Sequence, residues 1–148
     1  GVETVFVTLH VGLGTFRPVT VDDPESHKMH AEYWKLSSDA ADAIGRAKTE
    51  GRRIVSVGTT AVRLMEQAAS QVPDGQISPG SGWTDIFIYP GHRFKLVDAL
   101  VTNFHLPKST LLMLTSALVG RERLLAAYQE AASAGYRFYS FGDAMLVV

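Results

Sequence analysis

The order of apolar and polar segments along the chain predicts an alternation of strands and helices. Short runs of β-branched residues indicate strands, and longer segments with apolar residues every three or four positions indicate helices. The predicted strands are 4–11, 32–36, 53–57, 84–89, 95–101, 136–139 and 144–148. The predicted helices are 37–50, 61–69, 111–119 and 121–134. This order is typical of an α/β fold, with a layered sheet flanked by helices.

Composition limits the possible functions. The 148 residues suffice for one domain with a real core. Apolar residues make up 46% and charged residues 20%, and the net charge of -1 gives no basic excess for a broad nucleic-acid clamp. The absence of cysteine excludes disulfides and cysteine ligands for zinc. The longest apolar run, 111–119, is too short to span a bilayer, so we expect a soluble, cytoplasmic protein.

Two glycine-containing turns follow predicted strands and could hold a ligand. Gly58-Thr59-Thr60 precedes a helix, where backbone N–H groups and hydroxyls suit an anionic or ribose-bearing ligand. It could equally be a plain turn in which a threonine caps the helix. Arg63, one helical turn further, could reach the same ligand or lie at the surface. In the loop after the first strand, Gly12 and Gly14 would let a ligand approach the backbone closely.

Two histidines and an acid lie together before strand 32–36. His27, His30 and Glu32 could hold zinc, but their spacing is not that of a helical zinc site. A general acid/base pair is the better functional interpretation, with solvated loop residues as the alternative. We therefore predict no metal site.

The densest polar cluster is TNFHLPKST, residues 102–110, immediately before the apolar helix 111–119. Ser109 or Thr110 is a natural N-cap for that helix. Capping does not explain Asn103 and His105, which flank a phenylalanine in a tight loop after a strand. Imidazole has a pKa near the pH at which proton transfer operates, so His105 is a candidate catalytic group.

The segment 136–143 interleaves aromatic residues with Arg137 and Asp143. Aromatic rings and a guanidinium could stack on nucleobases. Alternatively, the rings could fill a core and Asp143 could be a turn residue. From the residues alone, we infer an α/β domain whose polar loops could converge at strand ends.

Five segments together resemble one known family. They are VTLHVGLGTFRPV, MHAEYW, VGTTAVRLME, TDIFIYPGHRFKLVDALVTNFHLPKSTLLML and YRFYSFGDAMLVV. In this order, and over nearly the whole chain, they are similar to the S-adenosylmethionine:tRNA ribosyltransferase-isomerase family of queuosine biosynthesis. The TNFHLPKST and YRFYSFGDAML blocks are highly specific.

The resemblance implies an enzyme that uses S-adenosylmethionine as a ribosyl donor. The ribosyl part passes to the aminomethyl group of 7-aminomethyl-7-deazaguanine at the wobble position of tRNA. It is isomerised to an epoxycyclopentanediol, which gives epoxyqueuosine, and adenine and methionine are released without a metal or further cofactor. Because the amine of the tRNA base is the nucleophile, the enzyme has to supply proton transfer, stabilisation of leaving groups and positioning.

On this basis we assign hypothetical roles to the matching residues. The candidate catalytic groups are His105, Asn103, His10, His30, Glu32 and Asp98. The candidate substrate-binding residues are Gly12, Gly14, Thr15, Gly58, Thr59, Thr60, Arg63, Phe104 and Asp143. The candidate contacts to tRNA phosphates are Arg17, Lys108 and Arg137.

Members of the family are more than twice this length, so the resemblance implies that residues 1–148 are a C-terminal portion of the α/β catalytic domain. The N-terminal part and an inserted β-rich domain would be absent. We expect this portion alone to be inactive and to expose sheet edges that favour self-association, and the full-length enzyme to be a monomer. Two alternatives stay open: a non-catalytic tRNA-binding module, or a metal-dependent hydrolase that uses His27, His30, Glu32 and His105.

Overall fold

The computed structural model describes residues 1–12, 19–21, 23–73 and 76–148. Gly14, Thr15 and Arg17, three of the predicted site residues, lie outside the described residues. The strands are β1 (Thr8–His10), β2 (Glu32–Leu36), β3 (Val55–Val57), β4 (Gly80–Thr84), β5 (Ala99–Asn103) and β6 (Ala144–Val147). The helices are α1 (Ser38–Thr49), α2 (Thr59–Ser70), α3 (Thr110–Val119) and α4 (Arg121–Ser133), with a 3-10 turn at Pro24–Ser26. The predicted α/β fold class is confirmed.

The strands form two small sheets. In the first, β2 is central and pairs antiparallel with β1 on one side and β4 on the other. In the second, β5 lies between β3, which is parallel to it, and β6, which is antiparallel. The chain passes from β3 into α2 before it returns to β5. The carboxyl ends of this parallel pair therefore meet at one edge of the sheet.

One hydrophobic cluster joins the inner faces of the two sheets with helices α1, α2 and α3. Trp34 of β2 belongs to this cluster and is 2% exposed. Its indole ring lies against the glycines of β4, where a Cβ added at Gly80 would come within 3.4 Å of the ring. Glycine in this strand thus leaves room for a large buried side chain from its neighbour.

Two helices begin at the serines expected from the sequence. Ser37 caps α1, and its hydroxyl accepts a hydrogen bond from the N–H of Ala40. Ser109 caps α3 in the same way and accepts from the N–H of Leu112 at 3.1 Å. Side-chain caps of this kind satisfy backbone groups that the helix itself leaves unpaired. Within the described part of the chain, no helix is both long and apolar enough to cross a membrane.

Two predicted strands are wrong. The strand near Trp83 is β4, which ends at Thr84, so 84–89 is not a strand and forms no hairpin with 95–101. Segment 136–139 is not a strand either. Its backbone is engaged locally, because the N–H of Arg137 donates to the carboxylate of Asp143 at 2.7 Å.

Glu66 of α2 explains why the chain before β5 does not pair as a strand. Its buried carboxylate accepts hydrogen bonds from the N–H groups of Lys95, Leu96 and Val97, at 2.8, 3.0 and 3.0 Å. Burial by itself would raise the pKa of Glu66, but the imidazole of His92, whose Nε2 lies 3.5 Å from the carboxylate, and these three N–H groups outweigh it and lower the pKa below its usual value. An ionised side chain therefore takes the place of a neighbouring strand.

The second sheet leaves one of its faces open. Val57 lies opposite Val101, and Val101 lies opposite Leu146, so the three side chains share a face. Val57 is 74% exposed and Leu146 is 62% exposed. Leu100, on the other face, is fully buried in the core. The open face is therefore aliphatic, and none of the described residues covers Val57 or Leu146.

Candidate functional site

A cavity of about 550 Å³ lies where the parallel strands β3 and β5 end. This is the edge at which ligands bind in open α/β sheets. The turn from β3 into α2 forms one wall, and the end of β5 with the loop into α3 forms the second. Residues 139 and 140, in the turn before β6, close a third side. Six predicted site residues line the cavity: Gly58, Thr59, Thr60, Asn103, Phe104 and His105.

The first wall ends in an open helix N-terminus. Gly58 has a φ of 85°, in the region that glycine adopts without strain. Its N–H donates to the carbonyl of Val101 at 2.8 Å, which ties the first wall to the second. In the part of the chain that the structure describes, no side chain caps α2. The N–H groups of its first turn and the hydroxyls of Thr59 and Thr60 can therefore bind a carboxylate or a ribose.

Three hydrogen bonds hold the second wall in place. The hydroxyl of Thr102 lies 2.8 Å from Nε2 of His105. Nδ2 of Asn103 donates to the carbonyl of Asp143 at 3.2 Å. The backbone N–H of His105 donates to the hydroxyl of Tyr128 at 2.7 Å. The side chains of Asn103 and His105 are thus bonded to Asp143 and Thr102, and the backbone of His105 is bonded to Tyr128.

Phe104 anchors the same loop in addition to lining the cavity. Only 4% of the residue is exposed. Its ring centroid lies 5.3 Å from that of Tyr128, 5.9 Å from Tyr136 and 5.0 Å from Phe138. Edge and tilted contacts of this kind stabilise aromatic clusters beyond the burial of area. Most of the ring is therefore engaged with α4 and the chain that follows it.

Burial sets the protonation states of the two groups behind the cavity. Burial lowers the pKa of His105 to about 4, so the imidazole is neutral near pH 7. A neutral imidazole has one donor nitrogen and one acceptor nitrogen. Burial also raises the pKa of Tyr128, against the smaller effect of the N–H bond from His105, and keeps its hydroxyl protonated. The hydrogen bonds of His105 and Tyr128 that hold this loop are therefore made by neutral groups.

Glu32 and Arg63 are not brought to the cavity. Their side chains are 1% and 3% exposed, and Arg63 Nη1 donates to Glu32 Oε2 in a buried ion pair. Arg63 Nε also donates to the carbonyl of Ile86, at 3.3 Å. Glu32 Oε1 accepts from the N–H of Gly12 at 2.8 Å. The two residues predicted for proton transfer and ligand binding are paired with each other and position Gly12, which does not line the cavity either.

Asp98 lies at the opposite end of β5 from the cavity. Its carboxylate accepts a hydrogen bond from the N–H of Ile54 at 2.8 Å and lies 3.7 Å from Nζ of Lys48. These contacts join the amino ends of β3 and β5. The structure therefore does not bring Asp98 together with the other predicted catalytic groups.

His10 and His30 are both exposed and do not line the cavity. The ring of His10 lies 5.9 Å from that of Tyr33, and the ring of His27 lies 5.0 Å from that of Phe87. Among residues 1–12, 19–21, 23–73 and 76–148, no three His, Cys, Asp or Glu side chains are grouped as metal ligands.

Two of the predicted tRNA contacts are exposed next to lining residues. The carboxylate of Asp143 accepts from the N–H of Arg137 at 2.7 Å and from its Nη2 at 3.1 Å. The guanidinium and N–H of Arg137 hold the pKa of Asp143 below its usual value. The side chain of Arg137 is still 73% exposed. Lys108 is also exposed, between the lining residues His105 and Ser109.

The sequence model of the queuosine biosynthesis protein family matches residues 1–147. The chain belongs to this family. S-adenosylmethionine:tRNA ribosyltransferase-isomerases from Heliobacterium modesticaldum and Symbiobacterium thermophilum are 61% and 62% identical to it over all 148 residues. The chain spans 43% of the length of these relatives. The family predicted from the five sequence segments is confirmed.

A solved S-adenosylmethionine tRNA ribosyltransferase has the same fold. The crystal structure of S-adenosylmethionine tRNA ribosyltransferase from Thermotoga maritima is 48% identical in sequence and has a TM-score of 0.73. The match covers 79% of this chain and 41% of that chain.

Some residues around the cavity of this queuosine biosynthesis family member were not singled out in the sequence. Tyr128 could have been found, because it lies four residues after Leu124 and three before Ala131 on the buried face of α4. Tyr139 and Ser140 belong to segment 136–143, which was singled out, but nothing in the sequence distinguished these two residues as lining the cavity. Tyr139 lines the cavity with a φ of 70°, and no sequence signal predicts a tyrosine in that conformation.

Proposed function

We propose that the protein carrying this chain transfers the ribosyl part of S-adenosylmethionine to 7-aminomethyl-7-deazaguanine at the wobble position of tRNA. Isomerisation then gives epoxyqueuosine, with release of adenine and methionine. The observation that supports the proposal most is the identity of 61% and 62%, over all 148 residues, to relatives named S-adenosylmethionine:tRNA ribosyltransferase-isomerase. Because the chain spans 43% of those relatives, the activity is proposed for the whole protein and not for these residues alone.

The cavity at the carboxyl ends of β3 and β5 is the candidate site for S-adenosylmethionine. Its volume of about 550 Å³ is in the range of small-molecule sites. S-adenosylmethionine carries a carboxylate and a ribose, and the uncapped start of α2 offers N–H groups and two hydroxyls that suit both. We assign Gly58, Thr59 and Thr60 to hold the methionine carboxylate or the ribose hydroxyls.

His105 is proposed as a neutral hydrogen-bond partner of the substrate and not as the general base. A general base works best when its pKa is near the operating pH. Burial lowers the pKa of His105 to about 4, so it is a weak base but a good fixed donor or acceptor. Nδ2 of Asn103 donates a hydrogen bond to the carbonyl of Asp143. We propose that Oδ1 of Asn103 accepts a hydrogen bond from the substrate base and orients it.

The remaining components of the proposal concern the partners. Lys108 and Arg137 are assigned to tRNA phosphates, because both are exposed beside residues that line the cavity. S-adenosylmethionine acts as co-substrate, and the proposed reaction uses no metal ion or other cofactor. We place the enzyme in the cytoplasm, as a monomer in its full-length form.

Adenine release from S-adenosylmethionine, measured with tRNA that carries the modified base, tests the proposal in the full natural chain. We expect His105→Ala and Asn103→Ala to lower kcat by about 10- to 100-fold, because lost positioning has effects of this size. His105→Gln, which keeps a hydrogen-bonding group, should retain more activity than His105→Ala.

His30→Ala is the matched control, since His30 is exposed and outside the cavity. It should turn over at the wild-type rate. If His30→Ala abolishes adenine release while His105→Ala and Asn103→Ala retain it, the cavity is not the reaction site.

A further inference from the structure

Three aromatic rings lie side by side across the open face of the first sheet. The strand register places His10 opposite Tyr33 and Tyr33 opposite Trp83. The ring centroids are 5.9 Å apart for His10 and Tyr33 and 5.6 Å apart for Tyr33 and Trp83. Trp83 is 69% exposed although it is one of the largest apolar side chains of the chain. We call these three residues the aromatic row.

On one side of the aromatic row the neighbouring positions are polar and carry no negative charge, whereas on the other side Asp85, two residues after Trp83, is exposed. Thr8, Lys35 and Ser81 form the neighbouring row of the same face, because Thr8 pairs with Lys35 and Lys35 pairs with Ser81. All three are exposed. Within the described part of the chain, no carboxylate lies in either row of the three strands. The face therefore combines three rings, an ammonium group and two hydroxyls.

The backbone holds the aromatic row rigidly. Trp34, between Tyr33 and Lys35 in sequence, points to the other side of β2 and is buried in the core. The glycines that precede Trp83 in β4 lie against that indole. The three rings thus project from a paired sheet whose opposite face is packed, and little ordering entropy is lost when a ligand stacks on them.

The two open faces of the molecule differ in chemistry. The second sheet exposes Val57 and Leu146, which are aliphatic and suit coverage by another polypeptide segment. The first sheet exposes rings and a cation, which are the groups that stack on nucleobases and attract phosphates. Polypeptide interfaces also use aromatic residues, but their cores are depleted of lysine.

We propose that the aromatic row is a stacking platform for unpaired nucleobases of the RNA substrate, with Lys35 directed to the phosphate backbone. The identity of that RNA as tRNA rests on the proposed function, whereas the stacking itself rests on the geometry of the face. Stacking on rings tolerates different bases, so the platform holds bases flanking the modified one without reading their sequence.

The platform and the cavity are connected through buried contacts. β1 ends at His10, two residues before Gly12, whose N–H is held by Glu32. Glu32 is paired with Arg63 of α2, and the first residues of α2 line the cavity. An RNA loop bound on the platform would therefore have a fixed position relative to α2, the helix that forms one wall of the candidate site.

Trp83 provides a direct readout through the difference in emission between wild type and Trp83→Leu, because it is 69% exposed whereas Trp34, the other tryptophan of these 148 residues, is buried. In the full natural chain, a short single-stranded RNA pentamer should quench the tryptophan emission, and the same sequence in a duplex should not. Trp83→Leu should remove the quenching. We expect Tyr33→Leu to weaken binding of the pentamer about tenfold, and Tyr33→Phe, which keeps the ring, to bind as the wild type does.

Two further variants separate stacking from other effects. Leu146→Ser changes the aliphatic open face outside the cavity and should leave pentamer binding unchanged. Lys35→Gln should lower the slope of log affinity against log salt by about one, while the ring variants should leave that slope unchanged.

The outcomes distinguish this proposal from the proposed function. If the wild-type protein releases adenine with tRNA but the pentamer causes no quenching, or Tyr33→Leu and Trp83→Leu bind it with wild-type affinity, the stacking platform is excluded and the transfer activity stands. If the pentamer binds as described but no adenine is released, the platform stands and the proposed function is wrong.

Discussion

The hydroxyl of Tyr128 accepts the hydrogen bond that the backbone N–H of His105 donates, at 2.7 Å. Tyr128 belongs to α4, whereas His105 lies in the loop before α3, so this bond fixes the cavity loop from a helix that contributes no lining residue. The ring of Tyr128 also lies edge-on against Phe104, with centroids 5.3 Å apart. One side chain therefore supports two successive residues of the candidate site.

Tyr128→Phe should keep the ring contacts and leave the N–H of His105 without its partner. We expect the free energy of unfolding to fall by about 1–3 kcal/mol, because a half-buried donor loses its hydrogen bond. The rate of adenine release should fall as well, because His105 is less firmly positioned. Urea denaturation and a turnover assay measure the two effects. Tyr136→Phe is the control, since Tyr136 also contacts Phe104 but is 51% exposed, and its stability should be unchanged.

The low pKa of His105 predicts a dependence of stability on pH. The pKa is about 4 in the folded protein and 6.5 in the reference state, so the unfolded chain binds the proton more readily. The stabilisation is complete above pH 6.5 and is lost as the pH falls toward 4. Between about pH 7 and about pH 5, wild type should lose about 2 kcal/mol more stability than His105→Gln.

Urea unfolding of both proteins at the two pH values gives this difference directly, and the titration of shared carboxylates cancels between them. Equal losses in wild type and His105→Gln would show that the imidazole titrates normally in the folded state. The pH profile of adenine release should also lack a limb from His105 between about pH 5.5 and about pH 8.

The buried pair of Glu32 and Arg63 should show strong coupling. Glu32→Met or Arg63→Met alone should destabilise the protein by about 3–5 kcal/mol, because each removes one member of a buried ion pair and leaves the other in the core. The double variant Glu32→Met with Arg63→Met should lose less than the sum of the single losses. The exposed pair of Arg46 and Glu3, 2.8 Å apart, is the control, and its double-mutant cycle should show far weaker coupling. Additive losses for the buried pair would contradict the assignment.

Glycine 142 should resist substitution. A Cβ at Gly142 would clash with the carbonyl oxygen of Arg137 and lie 2.6 Å from the backbone of Phe138. Because backbone cannot swing away, Gly142→Ala should cost about 1–3 kcal/mol and open the turn that presents Tyr139 to the cavity. Gly45→Ala, in the middle of α1, is a control of opposite sign, since among the described residues its Cβ would meet Ile77 alone, at 3.8 Å. That variant should gain about 0.5–1 kcal/mol in thermal or urea unfolding.

Local interactions explain most of what the sequence predicted correctly. The caps at Ser37 and Ser109 are formed within three residues, so the helix starts could be read from the chain. β4 was missed because its glycines are poor strand formers on their own. They are accommodated only because the indole of Trp34 lies against them from the neighbouring strand. A prediction from local sequence patterns cannot detect this contact, because Trp34 and the glycines of β4 are far apart in the sequence.

The candidate site was likewise predicted in part: its loops could be found from the sequence, but the partners of its carboxylates could not. The turn after β3 and the loop after β5 were both singled out, and the rule that ligands bind at the carboxyl ends of parallel strands explains why they meet. Glu32 and Asp98 carry the same functional group, yet one is buried in an ion pair and the other joins the amino ends of two strands. The partners of a carboxylate are set by the fold, and its position in the sequence does not reveal them.

The parallel pairing of β3 with β5 determines where the chain can change in length. Val57 is registered against Val101, and Gly58 donates to the carbonyl of that same residue. An insertion of one residue between Val101 and His105 would shift the loop by about 3.3 Å and reverse its side chains. Added residues between α2 and β4 would leave the register untouched. We therefore expect natural length variation to accumulate in that connection, while the spacing within 55–60 and within 99–105 stays constant.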